Sequence, residues 1–248
     1  MGPGPDGLAV EILASGIAWI LDPAHWSGSN GIPVRTVEHV ALSVTSLLVA
    51  AAVALPVGLY TGHTGRWGTT VTNVASLGRS VPSYALLLVF FTLTGAFGAP
   101  TTIPTLVLLA IPPLLAGAHV AIREVDRDVV EAGRGMGMRE REVLRRVEIP
   151  IGLPLILVGA RTAAVQVVAT ATLGALVAGG GLGRYIVDGF ALRGEEGTAR
   201  LVAGAILVAL LAIATERGFT LLERRAVAPG VRPASVPLET APRAGFGL

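Results

Sequence analysis

The sequence predicts an all-α fold, a polytopic membrane helical bundle of about five transmembrane helices with a charged loop between the third and fourth. Three observations predict it. The 248 residues are 52% hydrophobic with a mean hydropathy of +0.68, well above ordinary soluble usage. The apolar excess falls into runs of about 20 residues, the length that crosses about 30 Å of hydrocarbon as a helix. No stretch shows the polar–apolar alternation of a membrane barrel.

Residues 1–38 read as an N-terminal segment outside the cytoplasm. Its apolar piece GLAVEILASGIAWIL (7–21) carries Glu11 and lacks a preceding basic residue, unlike a signal peptide. It is short for a sixth span, and Trp19 and Trp26 favour an interfacial helix. The apolar domain covers 39–225. Its first span is predicted over 39–60, where Pro56 is tolerable if neighbouring groups take up the freed carbonyl. The second, 70–93, is interrupted by LGRSVPSY. The third covers 103–122 and contains Pro112 and Pro113; the fourth covers 153–177 and the fifth 201–221. Residues 226–248, rich in Pro, Ala and Gly without an apolar face, read as a disordered cytoplasmic tail.

Orientation follows from the arginines. The loop between spans three and four holds seven, Arg66 and five near the C-terminus share its side, and four lie opposite. Positive-inside bias therefore predicts an N-terminus outside, with the charged loop and C-terminus in the cytoplasm of a bacterial inner membrane.

Composition also excludes chemistry. There is no cysteine, hence no disulfide, thiolate nucleophile or zinc–thiolate site. All 19 basic residues are arginine, so the lysine that a Walker A loop needs is missing. The net charge of +2 gives no sign of nucleic acid binding. His25, His39, His63 and His119 have no metal-ligand spacing, and no HExxH, GxSxG or convincing GxGxxG pattern occurs. Thus no catalytic residue, metal or bound cofactor is expected.

The segment from Arg123 to Pro150 concentrates seven acidic residues and seven arginines. Glu124 with Arg127, Arg127 with Glu131, and Glu142 with Arg146 stand at helical spacing, which predicts surface pairs. Two short helices joined at Gly133, Gly135 and Gly137 are expected, with Pro150 leading into span four. Composition alone would equally permit a solvated loop that only sets topology. The order of residues says more. Glu131-Ala132-Gly133, then Gly137, then after nine residues Val147-Glu148-Ile149-Pro150 resembles the EAA loop of ABC-importer permeases, Glu-Ala-Ala, three residues, Gly, nine residues, Ile-x-Leu-Pro. Gly133 replaces the third alanine, and Val147 and Ile149 replace Ile and Leu.

The resemblance extends over about 39–225 and is closest to the osmoprotectant group, importers of glycine betaine, choline and carnitine. It is carried by SLGRSVPSYALL (76–87), by the span-four stretch from Val147 to Gly183, and by GRYIVDG (183–189). It implies a type I importer fold whose coupling residues are Glu131, Ala132, Gly133, Gly137, Val147, Ile149 and Pro150. It also implies a cytoplasmic ABC ATPase dimer holding the ATP and magnesium, a second permease subunit, identical or paralogous, and an extracytoplasmic substrate-binding protein.

Candidates for the translocation pathway are Arg79, Ser80, Pro82 and Ser83 at the break in span two, and Arg161 in span four, since ionisable groups at membrane depth are costly. Snorkelling or structural pairing is the alternative for both arginines. Thr162, Gln166 and Thr170 form a polar stripe on one helical face, either interhelical glue or a wet lining. Gly179, Gly180, Gly181 and Gly183 make a turn that the resemblance places at an outer gate or binding-protein contact. A methionine- or sulfonate-type permease is the nearest alternative. A secondary transporter would show inverted repeats and a coupling-ion site, and an intramembrane enzyme would need a nucleophile–base or metal constellation; the sequence shows neither.

Overall fold

The computed structural model describes residues 5–227, with side chains over 7–76 and 80–227. The described residues are helical throughout, without strands. Ten helices follow in order: α1 Pro5–Leu21, α2 Ile32–Thr64, α3 Gly68–Ser80, α4 Ser83–Thr94, α5 Ala99–Arg123, α6 Arg127–Gly135, α7 Glu140–Val143, α8 Ile149–Ala171, α9 Gly183–Ala191 and α10 Glu195–Ala226. The expected disordered tail lies outside the described residues, apart from its first two positions.

Among the described residues, four helical stretches are long and apolar enough to cross a membrane: α2, α5, α10, and the continuous run Glu140–Val177 that contains α8. The fifth crossing is the broken pair α3 and α4. With 13 and 12 residues, each reaches only about 18–20 Å, and Pro82 separates them as N-cap of α4. Every span is longer than hydropathy suggested. α2 begins seven residues early because Arg35 and Glu38, which interrupt the apolar pattern, pair with each other at 2.8 Å. α1 spans about 26 Å at helical rise, slightly short of the hydrocarbon core, and lies against α10 where Gly16 meets Val202 and Ala203.

The core is α2, α5 and α8. Ala50, Ala54, Leu106, Ala110, Leu114, Ala163 and Val167 are buried among them. Small residues permit backbone-to-backbone approach, the usual basis of helix association in lipid. A Cβ on Gly58 would stand 2.7 Å from the Leu115 carbonyl oxygen, and one on Gly62 would stand 2.8 Å from that of His119. Outward-facing Val40, Val44, Leu48, Val53 and Val57 leave α2 with an exposed apolar stripe, as a lipid-facing surface requires.

Candidate coupling loop and translocation face

The charged segment forms two short helices, α6 and α7, joined through residues 136–139. Asp126 caps α6, its carboxylate accepting the Asp128 N–H at 2.9 Å. The turn needs Gly137, whose φ of +84° is a left-handed conformation costly for any residue with a Cβ. Val125, Val130 and Val143, with Met138 against them, give the loop a small core of its own. On α6, Glu131 and Ala132 are exposed side by side while Gly133 turns inward. A Cβ on Gly133 would meet Val147, Met138 and Val143 at 3.6–3.8 Å, ordinary contact distances. The inward position thus has room for the alanine that the EAA pattern carries there.

The electrostatics differ from the helical-spacing expectation. Only Arg146–Glu142 forms, at 3.8 Å. Among the described residues Arg127 pairs with neither Glu124 nor Glu131, and its Nη2 is buried without a partner. A bidentate bond joins Arg134 to Glu140 instead, both contacts at 3.0 Å, across the turn rather than along a helix. That guanidinium holds the Glu140 carboxyl below the usual carboxylate range. Spacing rules describe one helix, and the turn at Gly137 brings two together.

The loop does not end at Pro150. α7 continues through a π-helical segment, Leu144–Glu148, directly into α8. Val147 and Ile149 are half-buried at this junction, Pro150 stands in the first turn of α8, and Glu148 is wholly buried. His63, in the last turn of α2, bonds Glu148 through Nδ1 at 2.5 Å and faces Glu140 through Nε2 at 3.0 Å. Sequence reasoning passed over both His63 and Glu148, since 85 residues separate them.

Along the span-four stripe, Thr162 donates to the Val158 carbonyl and Thr170 to that of Gln166. Both bonds stay within α8, so neither hydroxyl joins helices. The Gln166 side chain makes no hydrogen bond among the described residues. With Thr162 it lines a cavity of about 150 Å³ against Leu109, Pro112, Pro113 and Ala116 of α5. The two prolines remove the donors that would take up the Leu108 and Leu109 carbonyls. Arg161 is half-buried and without an ion pair among the described residues. Ser80 is exposed and bonds back to the Ser76 carbonyl at 3.1 Å. Pro82 is exposed and Ser83 half-buried beside it. The Arg79 side chain lies outside the described ones.

At the opposite end of the bundle, the glycine segment is packed rather than loose. Gly179 and Gly183 are buried and abut the Gly174 and Thr172 carbonyls, and Gly180 abuts the Glu38 carboxylate. Gly181, with φ +88°, lies against His39. The Glu38 carboxylate accepts the Gly181 N–H at 2.8 Å. His39, fully buried, accepts the Leu182 N–H at Nδ1 and reaches the Val168 carbonyl from Nε2 at 2.9 Å. A carbonyl only accepts, so Nε2 carries the proton and the ring is neutral and satisfied. On α9, Asp188 accepts from Arg184 at 2.6 Å and Arg200 at 2.8 Å, and the Tyr185 hydroxyl donates to the Asn30 carbonyl at 2.6 Å. Burial raises the Tyr185 phenol above its ordinary range. None of Glu38, His39 or Asp188 stood out in the sequence, because each acts on a partner distant along the chain or on another helix.

Comparison with known proteins matches this arrangement. Residues 54–227 fit the family described as the binding-protein-dependent transport system inner membrane component. The choline transport system permease protein OpuBB of Bacillus subtilis is 30% identical over 198 residues, 80% of this chain and 89% of that protein. The carnitine transport permease protein OpuCB of Listeria monocytogenes is 33% identical over 205 residues, covering 83% and 92%. The fold resembles that of the inward-facing MetNI methionine ABC transporter with a TM-score of 0.70 at 22% identity, over 79% of this chain and 96% of that one.

Proposed function

We propose that this chain, which belongs to the family of inner membrane components of binding-protein-dependent transport systems, is the permease subunit through which an ATP-driven importer moves small quaternary-ammonium solutes of the choline, carnitine and glycine betaine kind. It performs no bond chemistry itself. Two permease subunits, identical or paralogous, enclose a pathway. Two cytoplasmic ATPases, which hold the ATP and magnesium, grip the α6 helices, and a separate extracytoplasmic protein delivers the solute. The charged loop and C-terminus face the cytoplasm and the N-terminus faces out.

The observation that carries this reading is the build of the loop. Glu131 and Ala132 stand exposed on the short helix α6, which packs on α7 through a shared valine core, and α7 is continuous through Glu148 with the membrane-spanning helix α8. A loop that served only topology would need neither the core nor the continuity. A helix presenting a charged, small-residue face suits insertion into a cleft of another protein. Its displacement is carried into α8 because the valine core and the Arg134–Glu140 pair bind α6 to α7 across the turn. The names of the relatives support the solute class, and the scarcity of aromatic residues, 5% of the chain, fits a permease that passes a cation on rather than holding it in an aromatic cage. Arg161, Thr162, Gln166 and Thr170 with Arg79, Ser80, Pro82 and Ser83 form the pathway side in this reading, and the segment Gly179–Gly183 forms the outer gate.

The test is co-purification in mild detergent. Wild type brings down a nucleotide-binding ATPase, whereas Glu131→Arg and Gly137→Asp insert normally and lose it. Absence of any associated ATPase from the wild-type protein overturns the reading.

A further inference from the structure

We propose that His63 is a positioning residue that ties span α2 to the coupling loop through two bridging protons, so that α2 moves with the loop while both protons are held. The proposal rests on the importer reading for its consequence, though not for its geometry.

His63 lies at the end of α2, two residues before the left-handed cap at Gly65. Its ring faces Glu148 on one side and Glu140 on the other. Glu140 is held in turn by Arg134 of α6, so one imidazole connects α2, the coupling helix and the π-helical lead into α8. No covalent path shorter than 77 residues joins His63 to this loop end. π-Helical turns within helices recur at sites where function imposes an irregular backbone, and here the turn ends on Glu148, the buried partner.

The chemistry follows from the inventory of donors. An ionised carboxylate only accepts, so each contact needs one proton between nitrogen and oxygen. The arrangement therefore requires two protons on three groups, whether the one facing Glu148 is written on the ring or on the carboxyl. Loss of either leaves a lone pair facing a carboxylate. The Glu148 Oε1 is already buried without a partner, so that side has no substitute donor among the described residues. Arg66, Arg134, Glu140 and Arg141 line a shared cavity with His63, and Glu148 closes the other side of the ring.

The test uses the full-length chain in lipid vesicles, with and without its ATPase. Nitroxides on Val57→Cys and Arg145→Cys report the distance from α2 to the loop, and no native cysteine competes. In the wild-type background a single distance is expected, unchanged by ATP. The pair His63→Leu/Glu148→Gln, which leaves no buried charge bare, is expected to split that distance into two and to lower solute moved per ATP hydrolysed by about fivefold, with ATPase still bound. His63→Arg supplies donors to both carboxylates and restores one distance. A double variant with wild-type distances and wild-type flux per ATP overturns the proposal. So does a split distance in His63→Arg, or release of the ATPase by the double variant. The distance arm runs on the permease alone, so it decides the tie even where no ATPase associates; that last result would count against the importer reading instead.

Discussion

Gly117 of α5 and Gly159 of α8 face each other in backbone contact: a Cβ on Gly117 would stand 2.7 Å from the Gly159 Cα, and one on Gly159 would stand 2.8 Å from the Gly117 Cα. The crossing brings the third and fourth spans together on either side of the coupling loop. Motion imposed on α8 by the loop is therefore passed to α5 without slack.

Neither helix can yield to a methyl group there, because the obstructing atoms are backbone. Gly159→Ala should destabilise by about 1–3 kcal/mol, the usual cost of overpacking, read as a lower thermal unfolding midpoint in detergent. Gly218→Ala is the control. Nothing lies within 4 Å of its added Cβ on α10, so helix propensity alone acts and the expected change is a gain of up to about 1 kcal/mol.

Within the loop, Gly133 and Gly137 should respond in opposite directions. Gly133→Ala adds contacts at ordinary distances and removes a helix-interior glycine, for a gain of about 0.5–1 kcal/mol. Gly137→Ala forces a φ of +84° on a residue with a Cβ and should cost about 1–2 kcal/mol. Hydrogen exchange of the α6 amides would show slower exchange in the first variant and faster exchange in the second.

His39→Leu removes both an acceptor for the Leu182 N–H and a donor for the Val168 carbonyl. Each buried group left unpaired costs about 1–3 kcal/mol. The expected outcome is local, with faster hydrogen exchange over residues 178–183 and little change at α6. Uniform acceleration across the chain would contradict the local role assigned to His39.

Gln166→Leu on the cavity face should leave ATPase association intact and change uptake, because its amide bonds no other described residue. A loss of transport of at least about threefold without loss of stability is expected from flux and unfolding measured on the same preparation. An effect on stability alone would place Gln166 in helix packing rather than on the pathway.

Much of this was legible along the chain. Five apolar runs, the break at Pro82, and the paired short helices of the loop all follow from local composition and spacing. The ion pairs of the loop did not: Arg134 chooses Glu140 because a turn at Gly137 folds α7 back, while helical spacing assumed one continuous axis. The segment 179–183 read as a turn, yet its glycines are packed against Glu38, His39 and residues 172–174.

The sequence by itself determined that the chain is a helical membrane protein with a structured charged loop, since hydropathy, helix length and turn chemistry depend on neighbours a few residues apart. Only the tertiary structure decided which polar groups serve that loop and the glycine end. His63 meets Glu148 across 85 residues, and His39 meets Leu182 across 143. A hydrogen bond is specified by where two groups stop in space, and the close packing of α2, α5 and α8 on their glycines sets where the helix ends stop.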